Sequence, residues 1–105
     1  MTPGQRHMAM CATTGCVIHR EYYSERRAGH VHHIAPGSAK RSDFIVACLC
    51  EECHTLGGVH GDGVKAFLRM YKLESEYQLL GLQNKFLAID AAISGVSRSQ
   101  KIVMA

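Results

Sequence analysis

The run HVHHIAPGSAKRSDFIVACLCEECH, residues 30–54, decides the fold. His30 to Ala35 reads as a short strand stopped by Pro36-Gly37, with Val31, His33 and Ala35 on one face and His30, His32 and Ile34 on the other. Phe44 to Leu49 is a continuous apolar and β-branched run of strand length. A loop of about eight residues joins the two, so an antiparallel hairpin is expected. Cys50-Glu51-Glu52-Cys53-His54 follows at once. It predicts a zinc knuckle turning into a helix, kept short by Gly57-Gly58.

On the N-terminal side, the charged stretch from Arg20 to Gly29 reads as extended or loop. On the C-terminal side the pattern turns helical. Asp62 is a fitting N-cap for a helix carrying Val64, Phe67, Leu68 and Tyr71 at i, i+3, i+4 and i+7. Ser75 can cap the next helix, whose Leu79, Leu82, Phe86, Ile89 and Ile93 alternate steps of three and four. That stripe is expected to pack on the hairpin; part of it would alternatively serve as a homodimer seam. The fold class is therefore α+β, one domain over residues 1–94. Within it, knuckles lie at 11–16 and 50–53, a ββ-and-helix core at about 30–60 and a helical part at 62–94. A flexible tail is expected from 95 to 105.

The 105 residues suffice for one modest core. A hydrophobic share of 47% with 20% charged residues excludes wholesale disorder. No apolar run approaches the roughly eighteen residues of a membrane span, and MTPGQRHMAM lacks the apolar stretch of a secretory signal. A cytoplasmic protein with no membrane partner is expected. The formal charge is +3 but uneven: residues 1–41 carry a balance of +4, residues 42–105 a balance of −1. A basic face beside the histidines suits a polyanion, and Arg26, Arg27, Lys40 and Arg41 are the expected phosphate contacts.

Five cysteines in a reducing compartment point to metal rather than to disulfides, and the odd count agrees. Cys11 and Cys16 are separated by four residues, and Cys50 and Cys53 by two. Two such pairs predict a four-thiolate structural Zn²⁺. His19 is an alternative to Cys16 as a ligand, so the second pair is the firmer one. Cys48 is expected to be a packed thiol.

Seven histidines complete the unusual composition. Neighbours on a strand point to opposite faces, so His32 and His33 cannot both bind one ion from a regular strand. One imidazole can ligate a metal while the other, neutral near pH 7, takes a proton from an attacking water.

The order of these elements resembles the HNH nucleases, whose ββα-metal fold sets two strands and a helix around one catalytic ion. It is most similar to the branch containing the phage recombination-enhancement (Ref)-like nucleases. The residues that carry the resemblance are His32-His33-Ile34, Gly37, Lys40, Ser42-Asp43-Phe44, Leu49-Cys50, Gly58-Val59-His60-Gly61 and Phe67, over roughly residues 11–80. The resemblance implies that His32, His54 and His60 hold the catalytic ion and that His33 is the general base. Asp43 stands where the HNH name has asparagine and would orient that base. Cys50-x-x-Cys53-His54 stands where relatives often have Cys-x-x-His-His. The implied activity is hydrolysis of DNA phosphodiesters with weak sequence specificity, using Mg²⁺, Mn²⁺, Ni²⁺ or Zn²⁺. A phage or prophage origin, a bacterial host cytoplasm and a recombination protein as a further partner are implied in the same way.

Two other classes remain open at this level. One is a non-catalytic zinc module that binds DNA or a protein partner. The other is a redox-sensing zinc protein with Cys48 as its reactive thiol.

Overall fold

The computed structural model describes residues 1–37, 39–56 and 63–104, with side chains given for these up to Ser94, Leu56 excepted. Its elements are α1 (Pro3–Thr13), α2 (Val17–Tyr23), β1 (His30–His33), β2 (Val46–Leu49), a π-helical turn (Glu52–Leu56), α3 (Val64–Met70) and α4 (Tyr77–Met104).

The hairpin is antiparallel, with His30 opposite Leu49, Val31 opposite Cys48, His32 opposite Ala47 and His33 opposite Val46. Both strands are shorter than the sequence suggests, four residues each. One more backbone bond, Ile34 N–H to the Ile45 carbonyl at 2.9 Å, extends the pairing beyond His33. The register puts His32, Ala47 and Leu49 on one face, where Ala47 and Leu49 join Ile18, Ile34, Phe67, Leu79 and Phe86 in the core. Val46 and Cys48 face the other way and are also fully buried, because α1 packs across that side of the hairpin.

α1 begins with a capping box. Thr2 Oγ1 accepts the Gln5 N–H at 3.1 Å, Gln5 Oε1 accepts the Thr2 N–H at 2.9 Å, and Pro3 opens the helix. Gly15, at φ +76°, then turns the chain into α2. This helix corrects the expectation of loop from Arg20 onward: Arg20 to Tyr23 complete α2, and irregular chain begins only at Ser24, whose left-handed φ of 51° ends the helix. Tertiary packing decides it, since Val17, Ile18 and His19 are buried along the inner face.

α4 lies against β2 and α2. Leu79 and Phe86 of its stripe are core, whereas Ile89 and Ile93 are exposed. Gln83 on the same helix is fully buried: its Oε1 accepts the Cys48 N–H at 2.7 Å, and its Nε2 donates to Thr14 Oγ1 at 3.0 Å. α4 runs on as helix to Met104, past Gly95 where the tail was expected to start. The proposed Asp62 cap lies outside the described residues; α3 follows Gly63 at φ +95°. No helix among the described residues is long and apolar enough to cross a membrane.

Candidate functional site

Four side chains meet at the junction of α2 with the turn after β2. The Nδ1 of His19 lies 3.4 Å from Cys16 Sγ, 3.4 Å from Cys50 Sγ and 3.5 Å from Cys53 Sγ. All four ligand atoms fall within 4.8 Å of one another, and all four residues are buried. A nitrogen and a sulfur on one tetrahedral zinc stand about 3.6 Å apart. The cluster therefore has the dimensions and donor set of a structural Zn²⁺ site.

Its electrostatics also call for a cation. The Cys53 thiol, hydrogen-bonded to Cys16, holds the Cys16 pKa down, and the same bond with burial pushes Cys53 up. Buried thiolates side by side repel, and a divalent ion would remove that conflict and take both as thiolates.

The ligand set corrects the sequence reading at one position. His19, weighed as a substitute for Cys16, joins Cys16 and displaces Cys11. Cys11 belongs to α1, one turn from His7, whose Nε2 is 3.5 Å from its sulfur. The cage instead takes Cys16 and His19 from the first turn of α2, so Cys16-x-x-His19 matches the spacing of Cys50-x-x-Cys53. Gly29 lets the irregular chain before β1 press against this corner, since a Cβ there would fall on the Leu49 carbonyl. His19 Nε2 faces Glu52 Oε2 at 3.8 Å, and Glu52 is held by Arg27 at 2.8 Å. A carboxylate behind a ligating imidazole fixes its orientation and raises its basicity.

The second constellation lies in a cleft of about 460 Å³ at β1, lined by Val31, His32, His33, Ala35, Ala39, Arg41 and His54. His33 Nε2 is 2.9 Å from Asp43 Oδ1, and Arg41 Nη2 is 2.8 Å from His33 Nδ1. A guanidinium can only donate, so Nδ1 carries the lone pair and Nε2–H donates to Asp43. The register sets His32 opposite Ala47 on the core side of β1, and the cleft reaches it there as well as His33. His32 is buried, its ring meets that of His54 edge to face at 5.3 Å, and its Nε2 lies 3.3 Å from Glu76 Oε1. His60 lies outside the described residues.

Comparison of the chain with protein-family models, curated proteins and solved structures gives no match.

The four expected phosphate contacts separate. Arg41 lines the cleft, and the exposed Lys40 sits between two of its lining residues. Arg26 is turned toward Asp90 at 3.4 Å and the Thr13 carbonyl. Arg27 is tied to Glu25 and Glu52 at the metal centre. Cys48 is a packed thiol as expected, and burial pushes its pKa up to about 12, which opposes a reactive-thiolate role. Sequence reasoning missed Glu76 and Gln83. Neither has a spacing signal; both are polar residues drawn inside by the α4 stripe around them.

Proposed function

We propose that the chain is a divalent-metal-dependent endonuclease whose fold is held by a structural zinc at Cys16, His19, Cys50 and Cys53. The observation that supports it best is the His33–Asp43 pair in one cleft with His32 and His54. It gives a base with a fixed tautomer beside imidazoles able to hold an ion.

In this reading the DNA phosphodiester enters the cleft, and His33 Nδ1 takes the proton of a water. The water oxygen forms the new bond to phosphorus as the bond to the sugar oxygen breaks, and solvent supplies the proton that oxygen needs. Asp43 accepts the His33 Nε2–H throughout and stabilises the imidazolium that forms. A divalent ion, when bound, would supply electrostatic stabilisation of the leaving oxygen. His32 and His54 would hold it, their nitrogens suiting Ni²⁺, Zn²⁺ or Mn²⁺.

Arg41 gains a double role. Its guanidinium covers Nδ1 in the free protein, and phosphate is a better, bidentate partner for it. Substrate entry thus draws Arg41 away and uncovers the base. Lys40 adds a second positive charge, and no base-reading element accompanies them, in keeping with weak sequence specificity.

The test is conversion of supercoiled plasmid to nicked circle by the zinc-loaded protein in Mg²⁺, Mn²⁺, Ni²⁺ or EDTA. Nicking with a divalent ion and none in EDTA is expected. Binding of zinc and DNA with no nicking under any condition would replace this reading by a non-catalytic zinc module.

A further inference from the structure

We propose that α3, together with the tyrosines at the end of α2, forms a track for single-stranded DNA. The inference takes its ligand from the nuclease reading, but the surface lies outside the histidine cleft and stands on its own charge and exposed rings.

Lys65 and Arg69 lie one turn apart on α3, and Lys72 stands just past its end at a left-handed φ of 54°. All three are exposed, and the chain from Gly63 to Leu73 contains no acidic residue. Elsewhere, Arg20 and Arg26 are paired with Asp90, Arg27 with Glu25 and Glu52, and Lys85 with Glu21. Among the described residues, Lys65, Arg69 and Lys72 have no such partner. Three unneutralised cations within eight residues suit a polyanion, whose counterions they would release.

The tyrosines decide which polyanion. Tyr22 and Tyr23 are 45% and 57% exposed. Tyr22 O–H donates to the Tyr71 carbonyl at 2.9 Å, and its ring lies 5.1 Å from that of Tyr71; Tyr23 meets Tyr71 edge-on at 6.5 Å. Tyr71 directly precedes Lys72 and packs on the core residue Phe67 at 5.3 Å. The two exposed rings are therefore held at the end of α3 that carries Arg69 and Lys72. Glu21, next to them in the chain, is taken up by Lys85 at 2.6 Å. Cations alone would hold duplex and single strand alike. Exposed rings fixed beside them add faces on which unpaired bases stack, and a duplex keeps its bases stacked on one another.

The test is fluorescence anisotropy of labelled oligo-dT, oligo-U and a DNA duplex with the zinc-loaded full chain, without added Mg²⁺ or Mn²⁺, over a salt series. Oligo-dT is expected to bind more tightly than the duplex. Replacing Lys65, Arg69 and Lys72 together by alanine should lower the slope of log Kd against log salt by about 2, at about 0.7 for each phosphate contact on a single strand. Tyr22→Leu with Tyr23→Leu should weaken oligo-dT by at least about five-fold and the duplex by clearly less. Tyr22→Phe with Tyr23→Phe keeps the rings and should keep the affinity. Zinc content and melting temperature are followed in parallel; should the leucine pair lose either, Tyr23→Leu alone, at the more exposed ring, carries the same comparison. Wild-type affinity and salt slope in the triple-alanine chain would overturn the proposal. So would leucine substitutions that weaken duplex and oligo-dT alike, tighter binding of oligo-U than of oligo-dT, or a wild type that binds no oligo-dT. Binding that depends on α3 without plasmid nicking would keep the track and remove the catalysis. Nicking by a chain whose oligo-dT binding ignores α3 would remove the track and keep the nuclease reading.

Discussion

The Nδ1 of His19 stands 3.4 Å from the sulfur of Cys50, a residue 31 positions further along the chain. That contact clamps the start of α2 to the end of β2, and the hairpin between them is fixed at its base. An ion at this corner joins segments that the small core alone would hold only marginally.

Zinc content therefore separates the two possible ligand sets. His19→Ala and Cys53→Ser are expected to lose the stoichiometric zinc and the cooperative melting transition, whereas Cys11→Ser keeps one zinc per chain. Metal analysis after gel filtration reads this directly. Zinc lost in Cys11→Ser but kept in His19→Ala would reverse the assignment.

Gln83 makes a different prediction. Gln83→Leu fits the apolar stripe but strands the buried Cys48 N–H and removes the donor to Thr14 Oγ1, whose own O–H stays on the Cys11 carbonyl. The expected loss is about 2–3 kcal/mol, seen in urea unfolding, with zinc content unchanged. A leucine that stabilised the protein would mean those groups find other partners.

Asp90 gives a pH dependence. Arg20 holds its carboxylate in two bonds, 2.6 and 3.0 Å, and lowers its pKa, with Arg26 adding to the effect. A carboxyl depressed on folding contributes stability that is present above its unfolded pKa, near 3.9. That stability is lost as pH falls through the lower folded value. Asp90→Asn should destabilise the protein at pH 7 and reduce the slope of stability against pH below about 4. Parallel curves for the two proteins would show that the pair contributes nothing.

Gly4 guards the Asp43 carboxylate. A Cβ at this position would lie 2.8 Å from both Asp43 Cβ and Asp43 Oδ2. Gly4→Ala must therefore push Asp43 or α1 aside, at a cost of about 1–3 kcal/mol. Nicking should fall as Asp43 leaves His33, with zinc retained. Wild-type melting and nicking in Gly4→Ala would show that α1 has no such role.

The hairpin, its two faces and the second knuckle were legible in the sequence because period-two burial and Cys-x-x-Cys spacing are local signals. The pairing of His33 with Asp43 was implied by the resemblance alone, and the two lie 2.9 Å apart. The rest depends on contacts between distant segments. α2 was hidden because its charged outer residues mask a three-residue buried face. Cys-to-Cys spacing points to Cys11 with Cys16 and leaves His19 only as a substitute for Cys16, although Cys16-x-x-His19 repeats the knuckle spacing. α1 has a readable start in Thr2-Pro3-Gly4-Gln5, the residues of its capping box. Glu76 has no local mark at all; only the approach of α4 to β1 gives it a partner.

The central claim is that His33, oriented by Asp43, activates the attacking water. It is tested most directly by plasmid nicking in Mn²⁺ with His33→Ala beside the wild type, at matched zinc content and melting temperature. A loss of at least about 100-fold, partly restored by added imidazole, is the predicted result. Nicking by His33→Ala at the wild-type rate would contradict the account.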